Sequence, residues 1–329
     1  MRYLLFTLTI FVAAFLSCDR DEGLLLQRRY VNLEDSITAS IFVNIARVVN
    51  EFDGRGDPLL NASVSVTNQL GMEVKDLSKV NFRLHHAYGD DTMCDENFKL
   101  SYEEENNPLA VVISMDYSGS MTDDDIFHME EAVREFVRLL KPNDHVQIIK
   151  FSTEVMVMNS FTNDSTAIMN AIDHSPLTRT ATAFYQSIYT GLNELRDLLT
   201  IGQHTFVPVV IAFTDGWDNV SNVGLRSLNQ LSGQLQTPVY PVGLGNVDEY
   251  TMSYIAQMTG GRFFYTRQAE DVVDIFRMIS QLMGSFYQLQ FVVGKKAVTS
   301  GNVRLDVSVT YENNLGVHDA SAFRYFYFH

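Results

Sequence analysis

Asp116, Ser118 and Ser120 stand at alternate positions in Met115-Asp116-Tyr117-Ser118-Gly119-Ser120, so one carboxylate and two hydroxyls can turn three hard oxygens toward one point. Oxygen-only ligation is what Mg²⁺ prefers, with Mn²⁺ and Ca²⁺ as the nearest substitutes. A second carboxylate, Asp215, follows in Thr214-Asp215-Gly216. Between the two stretches lies Thr180-Ala181-Thr182-Ala183-Phe184-Tyr185, which adds a hydroxyl from Thr182 or Thr180. Catalysis is the weaker reading. His128, His145 and His174 fall in no zinc-ligand spacing, and no nucleophile is paired with a base. An enzyme would have to use Asp123, Asp124, Asp125 or Asp218 as the base for a metal-activated water, whereas acidic residues directly after Ser120 are what a helix start carries. The expectation is a binding protein, not an enzyme.

The elements that must hold these residues are legible from apolar runs. Val111-Val112-Ile113 leads into the first motif and Phe206 to Phe213 into the second, each a strand buried on both faces of a parallel sheet. Ligands in open α/β sheets sit beyond the carboxyl ends of such strands, which is where both motifs fall. Apolar positions at Ile126, Met129, Val133, Phe136, Val137 and Leu140 predict a helix over Asp123 to Leu140, ended by Pro142-Asn143-Asp144. Further strands are predicted at 146–151, 155–158, 239–242 and, at an edge, 262–265. Helices are predicted at 166–172, 183–199, 250–258 and 271–286. This alternation is that of an α/β layer fold.

Asp-x-Ser-x-Ser, a later Thr and a Thr-Asp-Gly after a further buried strand, in that order, resemble the von Willebrand factor A domain and its metal-ion-dependent adhesion site. The resemblance covers roughly Leu109 to Tyr287. It implies that Asp116, Ser118, Ser120, Thr182 and Asp215 hold a divalent cation, directly or through water. One position is then left for an Asp or Glu of a protein partner, with Tyr117 and Trp217 on the rim. The family usually has Gly-Gly before the Thr. Here Arg179-Thr180-Ala181 precede Thr182, so Thr180 stays open as a substitute ligand.

Outside this region the period changes to two. Ser40 to Val49, Ala62 to Thr67 and Val74 to Leu84 on one side, and Leu289 to Val293, Val303 to Val309 and Phe323 to Phe328 on the other, read as strands with no helices between them. Arg55-Gly56-Asp57 sits in a turn between the first two. The acidic stretch Tyr88 to Asn107 reads as a solvated connection, and Cys94 as a buried, unpaired thiol. The fold expected is therefore α/β, a doubly wound, mostly parallel sheet (108–287) inserted in a β-sandwich built from N-terminal (36–107) and C-terminal (288–329) strands.

The 329 residues carry a formal net charge of -16, which repels a phosphate backbone, and no basic patch offsets it, so nucleic acid is excluded as a partner. Arg2 followed by the apolar run Tyr3 to Leu16 has the form of a secretory signal (1–17). Phe15-Leu16-Ser17-Cys18 resembles a bacterial lipobox, which implies a lipid on Cys18, a linker over 18–35 and a place in the bacterial cell envelope, on the inner or outer membrane.

Overall fold

Ile41–Phe52 (β1), with three consecutive buried residues at the register shift around Ile45, and Pro58–Asn68 (β2), buried without a break from Ala62, pair as an antiparallel hairpin. At its turn the Asp53 carboxylate accepts from the backbone N–H groups of Arg55 and Asp57, and Gly56 takes φ +76°. The Arg-Gly-Asp triplet is thus explained by turn chemistry. The computed structural model describes residues 38–69, 72–88, 91–94, 97–104, 107–174, 180–201, 206–283, 285–294, 298 and 303–326.

The strand predicted over 74–84 starts later, at Phe82–Tyr88 (β3). Asp76 sits at φ 59° and a 3-10 turn occupies Lys79–Asn81, held by the Asn81 side chain accepting from the Ser78 N–H, so the backbone before Phe82 is not extended. The supposed connection 88–107 contains two strands, Asp91–Cys94 (β4) and Lys99–Glu104 (β5). Both lie at sheet edges, where polar outward residues discourage further pairing, and that is why they read as solvated. Cys94 is also not the buried free thiol expected. It is exposed on β4 and disulfide-bonded. The proposed signal, Cys18 and the linker lie outside the described residues.

The chain then enters the α/β layer through Leu109–Asp116 (β6), all eight residues buried. It continues through Asp123–Leu139 (α1), His145–Phe151 (β7), Val155–Val157 (β8), Ser165–Asp173 (α2), Phe184–Ile201 (α3), Val207–Thr214 (β9), Leu225–Leu235 (α4), Val239–Leu244 (β10), Glu249–Thr259 (α5), Phe264–Thr266 (β11) and Val272–Leu282 (α6). The sheet order is β11-β10-β9-β6-β7-β8, parallel except for β8. Apolar clusters fill both of its faces: α1 and α6 pack on one, α3, α4 and α5 on the other. Helix α4 was not anticipated, although Leu225, Leu228, Leu231 and Leu235 carry its three- and four-residue spacing.

Three strands close the chain: Ser285–Val292 (β12), Val303–Asn313 (β13) and Gly316–Phe326 (β14). The helix predicted to run to Phe286 stops at Leu282. Tyr287 is drawn into β12 instead, where its hydroxyl accepts from the Leu77 N–H and donates to the Val74 carbonyl. The flanking strands form two four-stranded sheets, β1-β2-β12-β5 and β14-β13-β3-β4, around one apolar core that includes Leu60, Val64, Leu84, Leu289, Leu305 and Val307. Each sheet takes strands from both ends of the chain.

The sandwich meets the α/β layer through buried polar contacts. Arg324 of β14 is buried and donates to the Ile45 and Ala46 carbonyls against Gly260, which ends α5 in the left-handed region. Arg262 stacks on Phe42 with 3.7 Å to the ring centroid, and Asn44 donates to the Tyr240 hydroxyl.

Candidate metal centre

Asp116 ends β6, and Thr214 ends the neighbouring parallel strand β9, so the two motifs emerge side by side at the carboxyl edge of the sheet. Asp116 is fully buried. One carboxylate oxygen accepts from the Ser118 N–H at 2.7 Å and the other from the Thr214 hydroxyl at 2.5 Å. Ser118 Oγ lies 3.0 Å from Ser120 Oγ, and Ser120 Oγ donates to Asp215 Oδ1 at 2.7 Å. Thr182 Oγ1 and Ser120 Oγ both lie against Gly216, which places the two hydroxyls on the same side of the second loop.

Thr182 is held by Asn219, whose side-chain oxygen accepts from the Thr182 N–H while its own N–H donates to the Thr182 carbonyl. Thr180 faces elsewhere. Its hydroxyl pairs with Thr153, and its carbonyl accepts from the Gly119 N–H, which pins the first loop. Of the two threonines left open by the sequence, the structure brings Thr182 to the oxygen cluster.

Tyr117 is not on the rim. It is 3% exposed, donates to Glu130 of α1 at 2.6 Å, and has Lys150 Nζ 4.5 Å from its ring centroid. Lying between two residues that turn toward the cleft, its side chain points the opposite way, under the helix. Trp217 is 56% exposed and lines an open cleft of about 490 Å³ together with Ser120, Asp125, Thr182, Asp215 and Asn219. The cleft continues past Leu244, Gly245 and Asn246 to Arg267. Thr214, Asn219 and Arg267 were missed in the sequence. The first stood next to an assigned Asp, while the other two carried no local signal.

The donor set suits a small hard cation. Its members are all oxygens, two of them carboxylates. The 2.7–3.0 Å hydrogen bonds among them show that these oxygens already sit side by side, as ligands of one hard ion must. Burial pushes the Asp116 carboxyl up to about 7, against hydrogen bonds from Thr214 and Ser118 and with added repulsion from Asp215. Asp215 is raised for the same first reason, with Ser120 opposing and Asp125 adding to it. A divalent ion beside them relieves the desolvation that raises both carboxyls.

The sequence model of the von Willebrand factor type A domain matches residues 110–278, just over half of the chain. The chain belongs to that family. VWA domains mediate protein–protein interaction and commonly bind a divalent cation at the metal-ion-dependent adhesion site. Among solved structures, similarity extends to a von Willebrand factor type A protein from Catenulispora acidiphila, at 12% identity over 87% of this chain and 73% of that one, TM-score 0.49. BatB from Bacteroides thetaiotaomicron is 16% identical over 53% of this chain and 98% of its own, TM-score 0.45. Proximal thread matrix protein 1 from the mussel byssus, with a zinc-occupied site of this kind, is 18% identical over 55% and 49%, TM-score 0.48. No curated protein sequence matches the chain.

The raised Asp116 carboxyl gives the VWA domain a testable pH response. Between about pH 4 and 7 the folded chain keeps a proton there that the unfolded chain has lost, so stability without metal falls as pH rises through that window. Thermal melts in chelator from pH 4 to 8 should show this fall in wild type and a smaller one in Asp116→Asn. Parallel profiles would contradict it. Mg²⁺ competes with the same proton, so its affinity should weaken below pH 7.

Proposed function

We propose that the protein is a metal-dependent binding module of the cell envelope that takes a carboxylate of a protein partner at its metal centre. The observation that supports this most is the convergence of Ser120 and Asp215 oxygens in the lining of an open cleft, with Ser118 and Asp116 buried behind them. Asp116 and Asp215 would hold the ion, with Ser118, Ser120 and Thr182 supplying neutral oxygens. The bound ion supplies an electrophilic point for one more oxygen anion. Thr214 orients Asp116, and Asn219 holds the Thr182 loop. Among the described residues the cleft lining contains no histidine or cysteine, which favours binding over catalysis.

Envelope extract passed over the immobilised protein tests the reading. A protein retained with Mg²⁺ and lost with chelator, or on Asp215→Ala, is the expected result. Retention indifferent to chelator would refute it. Metal-dependent turnover of ester or amide substrates would make the protein an enzyme, and a metal that only raises melting temperature would make it a scaffold.

The second half of the proposal is a lipid tether on Cys18, supported by the N-terminal sequence. No helix among the described residues is long and apolar enough to cross a membrane. The chain has two cysteines, and a sulfur in thioether linkage to lipid cannot also form a disulfide with Cys94. Mass spectrometry of the mature N-terminus decides between them. A lipid-modified Cys18 supports the tether, and a Cys18–Cys94 bridge ends it.

A further inference from the structure

The cleft lining carries a cation beyond the end of β11. Arg267 follows β11, whose carboxyl end opens on the same side of the sheet as Asp116 and Thr214. Its Nε donates to the Tyr265 hydroxyl at 3.3 Å, and that hydroxyl donates to the Gly245 carbonyl at 2.9 Å. One edge of the guanidinium is thereby anchored through Tyr265 to the Gly245 wall of the cleft, with Glu249 adding attraction, while its two terminal amino groups have no hydrogen-bond partner among the described residues. Arg134, Arg138, Arg277 and Arg304, in contrast, each lie against a carboxylate. Arg267 is the one cation in the cleft lining among the described residues. A guanidinium held at Nε presents its remaining edge as a two-pronged donor, which matches a carboxylate.

Resting on the metal-bridged reading above, we propose that the partner presents two acidic side chains: one reaches the metal centre, the other pairs with Arg267, and the chain between them crosses Trp217. Specificity then comes from the spacing of the two acids, because the metal centre alone accepts any exposed carboxylate. A carboxylate fits better than a phosphate. Asp125 and Asp215 line the same cleft, so a dianion meets more repulsion there than a monoanion does.

Trp217 is the chain's only tryptophan and is 56% exposed, so its emission reports occupancy of the cleft without a label. The full chain in Mg²⁺ is titrated with Gly/Ser peptides carrying one Asp, two Asp separated by one to five residues, or one phosphoserine. One diacidic spacing should bind about tenfold tighter than the single-Asp peptide, and only with metal. Arg267→Ala should lose that gain while binding Mg²⁺ and the single-Asp peptide as wild type does, and Arg267→Lys should regain part of it. Equal affinity for one and two acids, or a gain that survives Arg267→Ala, overturns the proposal and leaves the metal-bridged reading standing. If no peptide binds in Mg²⁺, that reading falls as well. Tighter binding of the phosphoserine peptide overturns the carboxylate assignment.

Discussion

Asp116→Ala and Asp215→Ala should each lower Mg²⁺ affinity by about 100-fold or more, roughly 3 kcal/mol, since even outer partners of metal ligands are worth ~10–100-fold and these are the two anions of the set. The fold should survive both changes. Asp116 is buried with its carboxyl pushed up to about 7, so removing it trades that desolvation cost against the orphaned Ser118 N–H and Thr214 hydroxyl, and the metal-free variant should stay folded with only a modest change in melting temperature. Ser118→Ala, Ser120→Ala and Thr182→Ala delete neutral oxygens and should cost about tenfold each. Thr180→Ala should leave the affinity unchanged, because its hydroxyl is engaged with Thr153. Isothermal titration with Mg²⁺ and Mn²⁺ gives the ranking. Unchanged affinity in both Asp variants would refute the site, and a loss in Thr180→Ala equal to that in Thr182→Ala would refute the choice between the threonines.

Removing Gln288 to His329 should leave a chain that cannot keep its N-terminal strands folded. The cut takes β13, β14 and most of β12, which are interior to the two sheets or pair directly with an interior strand. It withdraws the buried side chains of Leu289, Phe291, Val293, Val303, Leu305, Val307, Val309, Tyr311 and Phe326 from one core. At ~1.5–3 kcal/mol each, their burial is worth more than the ~5–15 kcal/mol by which a domain is stable. β2 and β3 would then present unpaired edges and apolar faces, a route to aggregation. Size-exclusion chromatography and circular dichroism of the truncated protein measure the outcome. A soluble monomer with its strand content reduced only by the missing residues would show that the N-terminal strands stand alone.

What the sequence disclosed and what it hid follow from the range of the forces involved. Runs such as Val111 to Met115 and Val209 to Phe213 are apolar because both faces of their strands are covered, and that signal is local. The oxygen cluster was legible for the same reason, since Asp116, Ser118 and Ser120 come from one loop. Tyr117 was misplaced because neighbours in a loop point to opposite sides, and only the position of Glu130 on α1 decides which side is the core. β4 and β5 looked solvated because they are edges. Asn219 acts through Thr182, 37 residues away, and Arg267 reaches the cleft only because β11 lies beside β10, so nothing beside either in the chain announces its place. The buried Arg324 likewise reads as an ordinary surface residue of a half-exposed strand until Ile45 and Gly260 are placed against it.

The shared sandwich also sets an order of assembly. Ser63 of β2 donates to Gln288 of β12 across 225 residues of chain, and Asn81 donates to the Thr310 carbonyl across 229. Contacts so far apart are slow to form, because loop closure must precede any reward from pairing. The α/β layer lies between them and is built from nearer neighbours, so it can condense while the ribosome is still making β13 and β14. Through that interval β1, β2 and β3 wait as unfinished sheets. A chain of this topology depends on whatever keeps exposed strands apart during synthesis, and its slowest folding step should track the arrival of β12, β13 and β14 rather than the closing of the loops around Asp116 and Asp215.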